Sequence, residues 1–342
     1  MANQAEKRQL TKRDFISGMS PRWCPGCGNY TILAQMQRIL PELGIPREKI
    51  VFVSGIGCSS RFPYYMNTYG IHSIHGRAPT LATGIRVANP DLSVWVITGD
   101  GDGLAIGGNH LLHVLRRNVD INIVLFNNRV YGLTKGQYSP TSAPGHVTRS
   151  SPMGSIEQSF NPISVGIGAE ATFVALTVDR FPRHLAEILQ RAAAHKGTSL
   201  VEVLQNCVLF NDGAWDHITA KDEEHALFLE HGRPLVFGKD RDHGVRLQGL
   251  RPEIVRLGNG VSEADLLVHD EAADPPALCY VLSRMDGTEC PLPLGVLRCV
   301  ERPTYEEQLL AQEEEAVARS GPGDLREALH AGETWVIPSD TQ

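Results

Sequence analysis

The sequence predicts an α/β protein with a doubly wound parallel sheet and an irregular C-terminal extension. Three observations carry that prediction. Between about residues 50 and 205, short apolar runs of strand length alternate with segments of helical period, the pattern of βαβ units. The runs at 92–98 and 121–126 are separated by one helix-length segment, as a right-handed crossover between parallel strands requires. Directly behind the first of them stand Gly99-Asp100-Gly101-Asp102, where open α/β sheets place their ligands.

Taken in order, residues 1–20 are polar and read as an N-terminal arm. Residues 31–40 have helical spacing and stop at Pro41. The run at 50–53 is a short buried-type strand that opens into the loop Ser54-Gly-Ile-Gly-Cys-Ser-Ser-Arg61. Residues 80–88 read as a helix that ends before Asn89-Pro90. The strand at 92–98, a helix from about 104 to 117 and the strand at 121–126 form the clearest unit. A strand at 171–176, a helix at 182–195 and a strand at 199–205 repeat the alternation. From about Asp222 charges and prolines rise, and few runs beyond 277–282 have the look of structure. The glutamate-rich segment 305–319 reads as a solvated helix. The organisation is therefore an arm (1–20), a core domain (21–221) and an extension (222–342) that wraps the core or meets a partner.

Composition narrows the function. A formal net charge of −7 argues against nucleic acid as the main partner, since a phosphate backbone needs a concentrated basic surface. No apolar stretch approaches the ~20 residues of a membrane helix, and the polar N-terminus lacks the core of a secretory signal. A cytoplasmic protein is expected. Seven cysteines, an odd number in such a chain, point away from a disulfide framework and toward metal or redox work.

The acidic glycine turn and Asn127-Asn128 put a carboxylate and a carboxamide at the ends of neighbouring strands. Hard oxygen donors there suit a magnesium ion holding a diphosphate. Gly99 and Gly101 let the backbone approach phosphate oxygens, and the following helix aims its N-terminus at them. Asp100 binds the ion directly, Asn128 adds a neutral oxygen, and a carbonyl in the turn Val130-Tyr131-Gly132 completes the shell. Asp102 is either a further cofactor contact or the helix N-cap.

Cys24-Pro-Gly-Cys27, Cys58 and Cys207 all lie in loops and can converge. Four thiolates suit zinc or an iron–sulfur cluster. The CxxC alone also fits a redox dithiol, but no strand precedes Trp23 as a thioredoxin-like motif would need. Cys279, Cys290 and Cys299 read as small core residues.

Taken together, CPGCG, IGCSSR, HGRAPTLATG, GDGD and NNxxYGxTxGQxSPT resemble, in that order, the β subunit of a 2-oxoacid:ferredoxin oxidoreductase, over roughly residues 20–210. The resemblance implies a sheet of the thiamine diphosphate-binding type. It implies thiamine diphosphate with Mg2+ on Asp100, Asn128 and Val130, and a [4Fe–4S] cluster on Cys24, Cys27, Cys58 and Cys207. Gly57, Cys58, Tyr131, Gly132, Leu133 and Thr134 join the cofactor set. Arg61 is expected on the 2-oxoacid carboxylate, Leu133 near its side chain, and His75 on an oxyanion or phosphate. Arg77 is read as steadying a carboxylate or the diphosphate, and residues 138–142 as covering the cofactor.

The loop Leu133-Thr-Lys-Gly-Gln together with HGRAPTLATGIRVANPDL is most similar to the 2-oxoglutarate enzymes; pyruvate or a broad 2-oxoacid range is the alternative. The implied reaction converts 2-oxoglutarate and coenzyme A to succinyl-coenzyme A and carbon dioxide, or the reverse, with electrons passing through the cluster to ferredoxin. No glutamate here has a motif for activating the thiamine ring. That residue is expected from an α subunit, giving an αβ or α2β2 enzyme. A non-redox thiamine diphosphate decarboxylase leaves the paired cysteines unexplained, and a zinc-stabilised binding module leaves GDGD and NN unexplained.

Overall fold

A computed structural model describes residues 8–219 and 225–337. The first seven residues of the arm and the 221/222 boundary lie outside the described residues. The rest of the arm is anchored: Phe15 is fully buried in the turn Lys12–Phe15, and Asn67 N–H donates to its carbonyl at 2.9 Å.

Helix α1 (Asn29–Ile39) leads through a 3₁₀ turn containing Pro41 to β1 (Ile50–Ser54), buried along its whole length. Strand β2 (Tyr69–His72) is exposed and forms the sheet edge; α2 (Ala78–Ala88) follows with Pro79 in its first turn. Strand β3 (Ser93–Gly99) passes into a π-helical turn at Asp102–Ile106 before α3 (Gly108–Arg117) begins. Asn118, left-handed at φ 54°, closes α3. Strand β4 (Asn122–Asn127) ends beside a small hairpin, β5 (Val130–Tyr131) and β6 (Gln137–Tyr138). Next come α4 (Pro162–Gly168), β7 (Phe173–Val178), α5 (Pro182–Ala194) and β8 (Ser199–Leu204).

The chain past residue 225 is more regular than the sequence reading expects. It contains β9 (Ala226–Phe228), a small sheet of β10 (Val236–Phe237), β11 (His243–Gln248) and β12 (Arg251–Arg256), helix α6 (Ala277–Ser283), and the long strand β13 (Leu292–Cys299). Helices α7 (Tyr305–Ser320) and α8 (Leu325–Leu329) finish the described chain. Helix α7 matches the expected solvated helix and opens on a capping box between Thr304 and Glu307.

The main sheet has the order β2-β1-β3-β4-β8-β7-β13-β9. Its first six strands are parallel, whereas β13 runs antiparallel to β7 and β9 is parallel to β13. Pro293, Gly295 and Arg298 break the apolar run of β13, which is why the sequence conceals it. Arg298 is nonetheless fully buried, donating to the carbonyls of Ala171 and Ala273 at 3.1 and 3.2 Å and to Asp274 at 3.2 Å.

Alternate strand residues serve opposite faces. Ile123 and Leu125 join one core with α2 and α3; Val124 and Phe126 join the other with α1 and α5. Strand β1 pairs with β2 on one side and β3 on the other, so the winding reverses there. The carboxyl ends of β1 and β3 bracket that switch point.

Candidate active site

A cavity of about 380 Å³ opens at this switch point, a size usual for small-molecule sites. The loop after β1 brings Gly57 and Cys58, and the turn before α2 brings His75. Gly99, Asp100, Gly101 and Asp102 come from the end of β3; Asn128, Val130, Tyr131, Gly132, Leu133 and Thr134 come from the segment after β4. These residues, all placed in the cofactor set from sequence, therefore line one cavity.

Asp100 is buried in its wall, and the Ser139 and Thr141 hydroxyls donate to its Oδ2 at 2.5 and 2.6 Å. Burial pushes its pKa up against those two donors. The other oxygen, Oδ1, takes no side-chain donor among the described residues. Ser139 and Thr141, expected only to cover the cofactor, thus aim the carboxylate. Their part was not readable from sequence, because they lie 39 and 41 residues along the chain.

Asp102 is neither a free ligand nor a simple cap. Its Oδ1 accepts the Ile56 and Gly76 N–H groups at 3.0 and 2.8 Å, and its Oδ2 accepts the Thr98 hydroxyl at 2.8 Å. One side chain thereby staples the loop after β1, the turn at 73–77 and the end of β3. Gly55 must be glycine for this, since a Cβ there would sit 1.9 Å from Asp102 Oδ2.

Asn128 Oδ1 accepts the Val130 N–H at 3.1 Å, forming an Asx turn around Arg129, which is left-handed at φ 56°. The turn is fixed twice more: Arg129 N–H donates to Asn127 Oδ1 at 3.1 Å, and the Ser142 hydroxyl donates to the Arg129 carbonyl at 2.6 Å. Tyr131 hydroxyl donates to the Gly101 carbonyl at 3.2 Å, so the two sides of the cavity are tied across its floor. The oxygens of Asp100, Asn128 and Val130 form a donor set suited to a magnesium ion. Gly57, at φ 134°, has no atom of the described residues within 4 Å of where a Cβ would lie, leaving backbone open to a diphosphate.

The four loop cysteines gather beside this cavity. Pro25-Gly26 makes the turn between Cys24 and Cys27, with Gly26 at φ 82° and Cys27 N–H donating to the Cys24 carbonyl at 3.1 Å. A Cβ on Gly132 would lie 3.5 Å from Cys58 Sγ and 3.7 Å from Cys207 Sγ. Burial raises the Cys27 thiol to about 12, opposed by the Asn29 N–H and reinforced by Cys58, Cys207 and Cys24. Burial likewise raises Cys58. Cys27 thus feels the other three sulfurs, which places all four in one neighbourhood. Among the described residues, no three His, Cys, Asp or Glu side chains are gathered tightly enough for a single metal ion. Four thiolates suit zinc or an iron–sulfur cluster. Trp23 Nε1 donates to the Cys58 carbonyl at 2.6 Å, and Gln205 Nε2 lies 3.4 Å from Cys27 Sγ, linking these loops to the end of β8.

Other residues stand apart. Arg61 donates to the Arg22 carbonyl at 3.0 Å and does not line the cavity, although its charge reaches Cys58. Arg77 donates to the carbonyls of His75 and Ile106, both at 3.3 Å, and is also outside the lining. His75 and Leu133 are exposed at the mouth. Sequence reasoning passed over Asn29, Gln137 and Gln205, which also line the cavity. Asn29 Oδ1 is buried without a partner among the described residues, and the residue's place immediately after CPGCG was the available signal. Cys279 is buried as expected, whereas Cys290 and Cys299 are only partly covered.

Comparison with known proteins agrees with this geometry. Residues 55–203 match the family described as thiamine pyrophosphate enzyme, C-terminal TPP binding domain. The chain is 51% identical to 2-oxoglutarate oxidoreductase subunit KorB of Mycobacterium tuberculosis over 95% of its own length and 88% of the relative's. It is 48% identical to 2-oxoacid:ferredoxin oxidoreductase 1, subunit beta, of Aeropyrum pernix, over 56% of this chain and 60% of that one. A solved structure of 2-oxoglutarate:ferredoxin oxidoreductase from Magnetococcus marinus, with 2-oxoglutarate, coenzyme A and succinyl-CoA bound, is similar with a TM-score of 0.75 and 33% identity. It covers 96% of this chain and 98% of that one. With a buried carboxylate, a carboxamide turn and clustered thiols at the switch point of a parallel sheet, the chain belongs to the β subunits of the 2-oxoacid:ferredoxin oxidoreductases.

Proposed function

We propose that the chain is the cofactor-binding β subunit of a 2-oxoglutarate:ferredoxin oxidoreductase. Working with an α subunit, as αβ or α2β2, the enzyme converts 2-oxoglutarate and coenzyme A to succinyl-coenzyme A and carbon dioxide and reduces ferredoxin. The observation that carries this reading is the convergence of the Asp100 carboxylate, the Asn128 turn and the Cys58 loop on one cavity. The names of the relatives favour 2-oxoglutarate over other 2-oxoacids. No helix among the described residues is long and apolar enough to cross a membrane, and none of the seven cysteines is paired in a disulfide, which suits the reducing cytoplasm.

Each group in the cavity then has a task. Asp100, Asn128 and the Val130 carbonyl hold Mg2+, and the open backbone at Gly57, Gly99 and Gly101 receives the diphosphate. Thiamine diphosphate supplies the nucleophile and electron sink that 2-oxoacid decarboxylation needs. Cys24, Cys27, Cys58 and Cys207 hold a [4Fe–4S] cluster, with Gly132 keeping the layer between it and the cavity thin. His75 at the mouth donates to an oxyanion or phosphate, and Leu133 meets the substrate side chain. Arg61 offers its charge to a carboxylate once it leaves the Arg22 carbonyl.

The test is a crossed pair of variants in the α–β complex, purified without oxygen. Asp100→Ala should lose thiamine diphosphate and keep broad visible absorption. Cys24→Ala should lose that absorption and ferredoxin reduction while retaining thiamine diphosphate. A colourless wild-type complex, or full ferredoxin reduction by Cys24→Ala, would overturn the cluster assignment. Equal or better turnover of pyruvate than of 2-oxoglutarate would overturn the substrate.

A further inference from the structure

We infer that Glu202 is a positioning residue on which both arms of the cation site hang. The inference rests on the proposed reading of Asp100, Asn128 and Val130 as the cation's oxygen donors.

Glu202 sits in the middle of β8, a strand buried along its whole length. It occupies the alternating position shared by Leu200 and Leu204, both in the α3-side core. Strand patterning calls for an apolar residue there, and a buried carboxylate is retained at a cost in stability. Its partner explains its presence. Glu202 Oε1 accepts from Asn127 Nδ2 at 2.7 Å. A carboxylate facing that nitrogen fixes which end of the Asn127 amide is which. The amide oxygen must then face the other way, where it meets two donors. Arg129 N–H reaches it at 3.1 Å and the Thr141 hydroxyl at 2.9 Å.

Those two donors belong to the two arms. Arg129 is the left-handed centre of the turn that presents Asn128 and Val130, and its N–H is held by Asn127 alone among the described residues. Thr141 is shared between Asn127 Oδ1 and Asp100 Oδ2, at 2.9 and 2.6 Å. Its single proton goes to one of them at a time, so Asn127 sets how firmly that hydroxyl sits against Asp100. Removing the Glu202 acceptor frees the Asn127 amide to turn over. The Arg129 N–H then faces an NH2 group, and the Thr141 hydroxyl loses its second contact. Outer partners of this kind change metal affinity without touching the metal.

Glu202→Leu should preserve the fold, because Glu202 also borders a second cavity of about 390 Å³ whose lining includes Trp215, Leu282 and Leu297. Glu202→Gln keeps a carbonyl oxygen that can accept from Asn127. The experiment uses the α–β complex and measures retention of added thiamine diphosphate by equilibrium dialysis against rising MgCl2, where circular dichroism shows every variant folded. Glu202→Leu should raise the half-retention Mg2+ concentration about ten-fold or more, and Glu202→Gln less than about three-fold. A merely structural role would lower thermal stability in Glu202→Leu and leave the Mg2+ requirement unmoved. A half-retention point within two-fold of wild type therefore overturns the inference. Should Glu202→Leu fail to fold, Asn127→Ala is read by the same criterion. Asp100→Ala separates the two levels. If it too retains Mg2+-dependent binding, the reading of the cation site has failed; if it alone loses binding, only the role of Glu202 has.

Discussion

Replacing Asp102 by alanine tests whether one side chain holds three loops together. The carboxylate is 6% exposed and takes the Ile56 N–H, the Gly76 N–H and the Thr98 hydroxyl. The Thr98 hydroxyl also lies 3.3 Å from the Gly99 carbonyl and can turn to it, so it should cost little. The two amides have no such refuge. A buried donor left unpaired costs about 1–3 kcal/mol, so the pair should cost about 2–6 kcal/mol, a large share of a domain stability of about 5–15 kcal/mol. Asp102→Asn keeps an oxygen for both amides and should cost about 1 kcal/mol. Urea unfolding followed by circular dichroism gives the stability, and amide hydrogen exchange gives the location. Protection should fall at Ile56 and Gly76, far along the chain from the substitution. An N-cap role alone would cost about 0.5–2 kcal/mol and loosen only residues just after 102. Wild-type protection at Ile56 and Gly76 in Asp102→Ala would refute the staple.

Three further outcomes are expected. Burial lifts Glu202 to about 7, against the pull of Asn127 and Arg129 the other way. The fold therefore disfavours its charged form. Its contribution to stability should be fully present below the ordinary glutamate range and fall by roughly 3 kcal/mol as pH rises through 7. In urea midpoints taken at a series of pH values, Glu202→Gln should gain on wild type with rising pH; a pH-independent difference would contradict this. Gly76→Ala should destabilise by more than about 2 kcal/mol, because φ is 66° and the new Cβ would lie 2.5 Å from the Gly107 backbone; a thermal midpoint equal to wild type would exclude the clash. Arg298→Ala should cost about 1–3 kcal/mol by leaving the buried Ala171 carbonyl without this donor, measured by chemical unfolding; a loss under about 0.5 kcal/mol would show that the buried guanidinium is dispensable.

The parts of this molecule that sequence revealed are those whose chemistry is local. Strands β1, β3, β4, β7 and β8 are mostly apolar runs, because helices cover both faces of a parallel sheet. Asp100 and Asn128 were visible because each follows a strand end within one residue. What stayed hidden depends on distant partners. Strand β2 is a four-residue exposed edge without an apolar run, and its Gly70 is set by contact with Pro63, 2.9 Å from where a Cβ would lie. The choice between cap and staple for Asp102 turns on Ile56, 46 residues away. Glu202 lies in a strand whose pattern announces only core, so its bond to Asn127 across the sheet is invisible in one dimension. The thiol cluster was legible through CxxC, but the side of Gly132 on which it sits was not.

The late arrival of β13 bears on how the molecule is made. Strand β7 is paired on one side by β8, and its other side receives residues 295–299. Until that stretch emerges from the ribosome, a nascent chain with its catalytic loops already synthesised carries an open parallel sheet with a bare apolar border. Truncations that end before residue 292 should therefore pair with one another along β7 and precipitate, even though they contain all the residues of the cofactor cavity.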